Sequence, residues 1–163
     1  MLRLFKMEIS LITAAFGWRP EPSSYVESSQ LARYESDQIL SLVGREWTFL
    51  TGDYLEANFE ALYLLTPEAF CYFLPGIIAA GIEENEPNLI VNHALVGMLD
   101  TPASTPCELD QFAAPRLTRL TKSELDVVEC WLWWLSEHQV SNIYTDKIMR
   151  AVETVEMLRR NVK

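Results

Sequence analysis

Two groups of carboxylates carry the strongest chemical signal in this sequence: Asp53, Glu56 and Glu60, and then Glu83, Glu84 and Glu86. The first three are spaced three and four residues apart, so a helix would set them on one face, and the second three cluster where a helix is expected to end. Paired carboxylates do acid–base work when burial drives their pKa values apart. Nothing in the surrounding sequence implies burial. The expectation is therefore a solvated acidic face, a surface for binding a partner rather than a catalytic pair.

Other chemistries find less support. His93 and His138 are the two histidines, and neither belongs to a Glu-x-x-His or His-Glu-x-x-His arrangement that would place ligands on one helical face, so no metal site is expected. The six glycines form no phosphate-cradling loop, and no Gly-Lys-Ser/Thr occurs, so no nucleotide or other cofactor is expected either. Cys71, Cys107 and Cys130 are an odd number without metal spacing, which fits reduced thiols in a cytosol better than a disulfide framework. Cys71 and Cys130 fall in apolar helical stretches, where an inert thiol is the expected state.

Charge narrows the choice of partner. Of the net −10, residues 21–110 contribute fifteen acidic groups against Arg33 and Arg45, whereas residues 1–20 and 111–163 are close to balance. Nucleic acid and anionic membrane surfaces require the opposite sign, because their affinity comes from Lys and Arg. A basic protein would be attracted and steered.

The elements that must position the carboxylates are helical throughout. Leu2, Phe5, Ile9, Ile12 and Phe16 recur at helical spacing, Glu8 interrupts what would otherwise resemble a signal peptide, and Gly17 closes the helix. Leu31, Tyr34, Ile39 and Leu42 line a second helix ending near Gly44; the conformation from 44 to 53 has no readable period. Asp53 is positioned to cap a short helix carrying Glu56, Ala57 and Glu60. Thr66-Pro67-Glu68 starts the next helix through an N-cap, a proline at N1 and an acid at the positive end of the dipole, with Pro75 expected to kink or break it. Pro87 is placed at the start of a further helix, and residues 100–116, with three prolines, read as a long loop. Thr121-Lys122-Ser123-Glu124 matches a capping box opening a helix through Trp131, Trp133 and Trp134, dense enough in apolar residues to be buried on most sides. A last helix runs from about Thr145 to Arg160. No apolar run reaches the roughly 20 residues that span a bilayer.

The block Leu65-Thr66-Pro67-Glu68-Ala69-Phe70, followed by Tyr72 and Leu74-Pro75, resembles one from an uncharacterised bacterial family of small acidic helical proteins. Phe16, Trp47 and Leu120-Thr121-Lys122-Ser123-Glu124 match further features of that family. The resemblance implies a helical cytosolic protein and supplies no catalytic residue.

Together these readings give an all-α chain, one compact domain over residues 1–163 with about six helices. The function they favour is a non-catalytic cytosolic protein-binding module, such as an immunity protein neutralising a basic bacterial toxin, with Asp53, Glu56, Glu60, Glu83, Glu84 and Glu86 as the partner-binding residues. A self-associating structural or regulatory adaptor is the alternative, and an enzyme using the central carboxylates comes third.

Overall fold

The computed structural model describes residues 7–26, 35–139 and 144–163. They form nine α-helices and no strand: α1 (Ile9–Phe16), α2 (Glu35–Leu40), α3 (Gly52–Ala57), α4 (Ala61–Leu64), α5 (Pro67–Glu83), α6 (Ile90–Leu99), α7 (Ala113–Leu117), α8 (Lys122–His138) and α9 (Thr145–Asn161). The all-α expectation holds, and the count exceeds the expected six or so because short helices escape a search for long apolar periods. Some expectations touch residues outside those described: the start of the first helix, with Leu2 and Phe5, the start of the second, with Leu31 and Tyr34, and, from the charge count, Arg33.

The organising helix is α5. Thr66 caps it by accepting a hydrogen bond from the Ala69 amide at 3.1 Å, and Pro67 occupies the first turn. The Thr66 hydroxyl also donates to the Ser24 carbonyl at 2.6 Å, tying the segment before α2 to the same helix end. From Ala69 to Gly81 every residue is buried. A helix apolar on all sides must be enclosed by others, and α1, α3, α6, α7 and the 3₁₀ turn Trp47–Phe49 all pack against α5. Pro75 does not break it: the helix is continuous from Pro67 to Glu83. At Gly76 the missing side chain matters, because a methyl group there would collide with the Trp47 carbonyl oxygen and crowd Leu50 Cδ1 at 2.9 Å. The Trp47–Phe49 turn therefore seats directly on the α5 backbone.

Buried apolar side chains from Met7 to Leu158 form one contiguous cluster. α9 closes it, laying Ile148, Ala151, Val152, Val155 and Leu158 along α8 and α6. At the opposite end of α8, the expected capping box is present. The Thr121 amide donates to Glu124 Oε2 at 2.8 Å, and the Glu124 amide to Thr121 Oγ1 at 3.3 Å. The fully buried Glu124 carboxylate also receives both arms of the Arg19 guanidinium, at 2.5 and 2.6 Å. Burying a charge is tolerated only when it is paired and hydrogen-bonded. This pair pins the segment after α1 to the head of α8.

Several local expectations are corrected. α1 does end at Gly17 as expected, but through a right-handed φ of −62°. The left-handed glycine is Gly44, at φ +70°, which closes the turn after α2 and lies beyond the last helical residue, Leu40. Thr51, not Asp53, caps α3, and Glu60 lies beyond its end, immediately before α4. α6 begins at Ile90, with Pro87 in the turn before it. The stretch 100–116 holds a 3₁₀ turn at Pro106–Glu108 and most of α7, which short length and prolines hid. α8 is buried at Trp131 and Trp134 but exposes Trp133, so the enclosed helix is α5 instead.

Chemical denaturation tests this packing. Phe70→Ala is expected to cost roughly 3–5 kcal/mol as a buried aromatic lost, Gly76→Ala roughly 1–3 kcal/mol through overpacking, and Thr66→Ala about 1 kcal/mol as an N-cap lost. A Gly76→Ala variant as stable as wild type would contradict the direct seating of the 3₁₀ turn on α5.

Candidate functional site

α3 packs against both α5 and α6. The start of α3, a helix that carries Asp53 and Glu56, meets the end of α5, which carries Glu83 and leads into Glu84 and Glu86. Glu60 lies apart, beyond α3 and just before α4. The C-terminus of α5 ends in a Schellman closure: Asn85 takes the left-handed conformation at φ 53°, the Glu86 amide donates to the Gly81 carbonyl at 2.9 Å and the Asn85 amide to the Ile82 carbonyl at 3.2 Å. Asn92, buried on α6, then donates its side-chain amide to the Glu86 and Pro87 carbonyls at 3.3 and 3.2 Å. Gly81 leaves room for it, since an added methyl group would stand 3.2 Å from Asn92 Nδ2. This closure fixes where Glu83, Glu84 and Glu86 project.

The six divide into two kinds. Glu84 reaches from the end of α5 to accept the Gly52 amide at 2.8 Å, at the start of α3. Glu56, on α3, accepts the Ile90 amide at 2.6 Å, at the start of α6. Each satisfies a helix-end amide that has no intrahelical acceptor: Glu84 supplements the Thr51 cap of α3, and Glu56 serves α6, whose own N-cap residue Leu89 has no side-chain acceptor. Asp53, Glu60, Glu83 and Glu86 are exposed, and among the described residues no side-chain hydrogen bond or ion pair involves them. The described ion pairs lie elsewhere, joining Arg19 to Glu124, Arg150 to Asp100, Arg159 to Asp126 and Glu129, and Arg160 to Glu156. All six are exposed. The spacing of Asp53, Glu56 and Glu60 does not put them on one helix, since α3 ends before Glu60, and it carries no sign that Glu56 and Glu84 bond helix-end amides while the other four do not.

His93 borders this face on α6, its ring edge-to-face with Tyr144 at 4.6 Å. Shielding of the ring from water lowers its pKa below the ordinary 6.5; Glu56 opposes that shift and Lys147 adds to it. Elsewhere, Cys71 is enclosed on α5 and donates its thiol to the Arg116 carbonyl at 3.3 Å. Burial pushes that thiol up to about 11, so it stays protonated and unreactive near neutrality. Among the described residues no three His, Cys, Asp or Glu side chains converge as metal ligands. No described helix is long and apolar enough to cross a membrane.

A second surface adjoins the acidic one, over the stretch from 44 to 53 that sequence periodicity left unread. Phe49 and Tyr54 pack edge-to-face at 5.4 Å, and the Arg45 guanidinium lies 4.5 Å from the Phe49 ring centre. The Tyr54 hydroxyl is hydrogen-bonded to Ser41, in the turn after α2. Burial holds the Tyr54 phenol above its usual pKa, so it remains a neutral hydroxyl. The signal available in the sequence was Gly44 with Tyr54 at the start of a capped helix, too short a pattern to place the ring.

No protein-family model matches the chain, and no curated protein or solved structure is significantly similar to it.

Two measurements follow from these contacts. Glu56→Ala and Glu84→Ala are each expected to cost about 1 kcal/mol as helix-end acceptors lost, while Asp53→Ala, Glu60→Ala and Glu83→Ala stay within about 0.5 kcal/mol of wild type. Denaturant midpoints that fail to separate the two groups would contradict the assignment. For His93, folding favours the neutral ring, so its contribution to stability is complete above about 6.5 and is lost as pH falls through the lowered folded value. His93→Gln should therefore flatten the loss of stability on acidification; an unchanged pH profile would contradict it.

Proposed function

We propose that the chain is a non-catalytic protein-binding module whose acidic face receives a basic protein, as an immunity protein receives the bacterial toxin it neutralises. The observation that carries this reading is the group Asp53, Glu60, Glu83 and Glu86: four exposed carboxylates on neighbouring elements, without a described cationic partner. Carboxylates that hold no helix end and neutralise no internal charge are available to an external one. A rigid support favours this use, because Glu84, Glu56 and Asn92 fix α3, α5 and α6 relative to one another. Pre-organised charge lowers the cost of association. A cytosolic setting goes with three cysteines that form no disulfide. Self-association through this face is disfavoured by the net charge of −10, which sets copies against each other.

The test is kinetic. A partner is captured from the native host, and its association rate is measured across a salt series for wild type and for a variant carrying Asp53→Lys, Glu60→Lys, Glu83→Lys and Glu86→Lys, which leaves Glu56 and Glu84 in place. The variant should fold and associate at least about tenfold more slowly at low ionic strength, with the gap closing as salt rises. Equal rates at low salt would overturn the reading.

A further inference from the structure

Steering by charge brings a partner near but seldom holds it; affinity comes from a small apolar centre inside a polar rim. Beside the acidic face the structure has such a centre. Leu40 is 65% exposed and Val43 50%, large values for aliphatic side chains only three residues apart, and Phe49, 38% exposed, is linked to their turn through Tyr54, which packs on its ring and bonds Ser41. The turn that carries the two aliphatics is held in place by two phenols. Tyr54 bonds the Ser41 hydroxyl, and Tyr25 accepts the Gly44 amide at 3.0 Å while its own backbone carbonyl receives the Thr66 amide at 2.9 Å. Gly44 supplies the left-handed conformation that the turn requires. A fixed turn that directs apolar side chains into water exposes them at a solvation cost that no internal contact recovers.

The chemistry of the occupant is marked by its surroundings. Asp37, Glu46 and Asp53, all exposed, flank these residues on α2, at the head of the 3₁₀ turn and in the first turn of α3. The face of the Phe49 ring already holds a cation, since Arg45 stacks there 4.5 Å from the ring centre. Arg45 is also the one described basic residue between 21 and 110. We propose that Leu40, Val43 and Phe49 form the apolar anchor of an interface for a basic, leucine-like segment of a protein partner, whose arginine takes the place over Phe49 that Arg45 fills in the free chain. This inference rests on the acidic-face reading and adds the contact that holds the complex. Arg45 then acts as an internal stand-in, covering the ring until a partner's cation displaces it.

Two labelled synthetic peptides of equal length and charge test it, one alternating arginine with leucine and one alternating arginine with glycine. Both are titrated into the full chain at physiological salt. Wild type should bind the arginine–leucine peptide at least about tenfold more tightly, and a Leu40→Ser, Val43→Ser, Phe49→Ser variant should lose that preference while keeping its helical circular dichroism. Arg45→Gln should tighten binding about two- to five-fold, the worth of an exposed cation–π contact, and the gain should vanish when Phe49→Ser is added. Equal binding of the two peptides by wild type, or a gain from Arg45→Gln that survives Phe49→Ser, would overturn the anchor. Failure of the acidic-face reading is separate: it would appear as arginine–glycine binding that is indifferent to reversal of Asp53, Glu60, Glu83 and Glu86. Binding of neither peptide would overturn both.

Discussion

The close approach of the Trp47 carbonyl to Gly76 is the constraint on which the rest of the arrangement depends. α5 is enclosed on every side, and at most positions its neighbours stand off by the thickness of a side chain. At Gly76 they do not, and the 3₁₀ turn Trp47–Phe49 rests on the helix backbone itself. That seating buries Trp47 and turns Phe49 outward. It also sets where α3 starts, and from that start follow both the reach of Glu84 to the Gly52 amide and the position of Tyr54 against Ser41. One missing side chain thereby links the core to both parts of the proposed interface.

The same economy appears in the use of charge. Glu124 and Glu84 are both acids near helix ends, yet one is sealed under Arg19 and the other lies open beside α3. A fully buried carboxylate needs its bidentate partner, and removing one partner of such a pair costs roughly 3–5 kcal/mol. Exposed carboxylates need none. Only the exposed kind can change hands between solvent and a partner, which is why the acidic face, and not the stronger Arg19–Glu124 pair, is the surface with a proposed role.

How much of this was legible in the sequence depended on the range of the interaction. The Thr66 cap and the Thr121–Glu124 box are written within four residues and were readable as such. The acidity of the middle of the chain was readable, because fifteen acids against two arginines between 21 and 110 is a composition fact, but which of those acids share a surface is not. Arg19 meeting Glu124 across 105 positions, or Glu84 meeting Gly52 across 32, leaves no local trace. The burial order of α5 and α8 was inverted for a related reason. Three tryptophans made α8 look central, whereas α5, with alanines and glycines among its aromatics, is the helix small enough at its surface to be approached closely from all sides. Proline chemistry predicts a kink or a break at Pro75, and the break does not occur: the helix runs on through it, enclosed by its neighbours.

Amide hydrogen exchange of the free chain and of its complex with the captured basic protein tests the central claim most directly, because it reports where the partner sits without altering a residue. The account predicts added protection confined to residues 37–60 and 83–92, with Cys71 and its neighbours on α5 equally protected in both states. Protection appearing instead along the outer faces of α8 and α9, with none on α3 or the turn after α2, would contradict it.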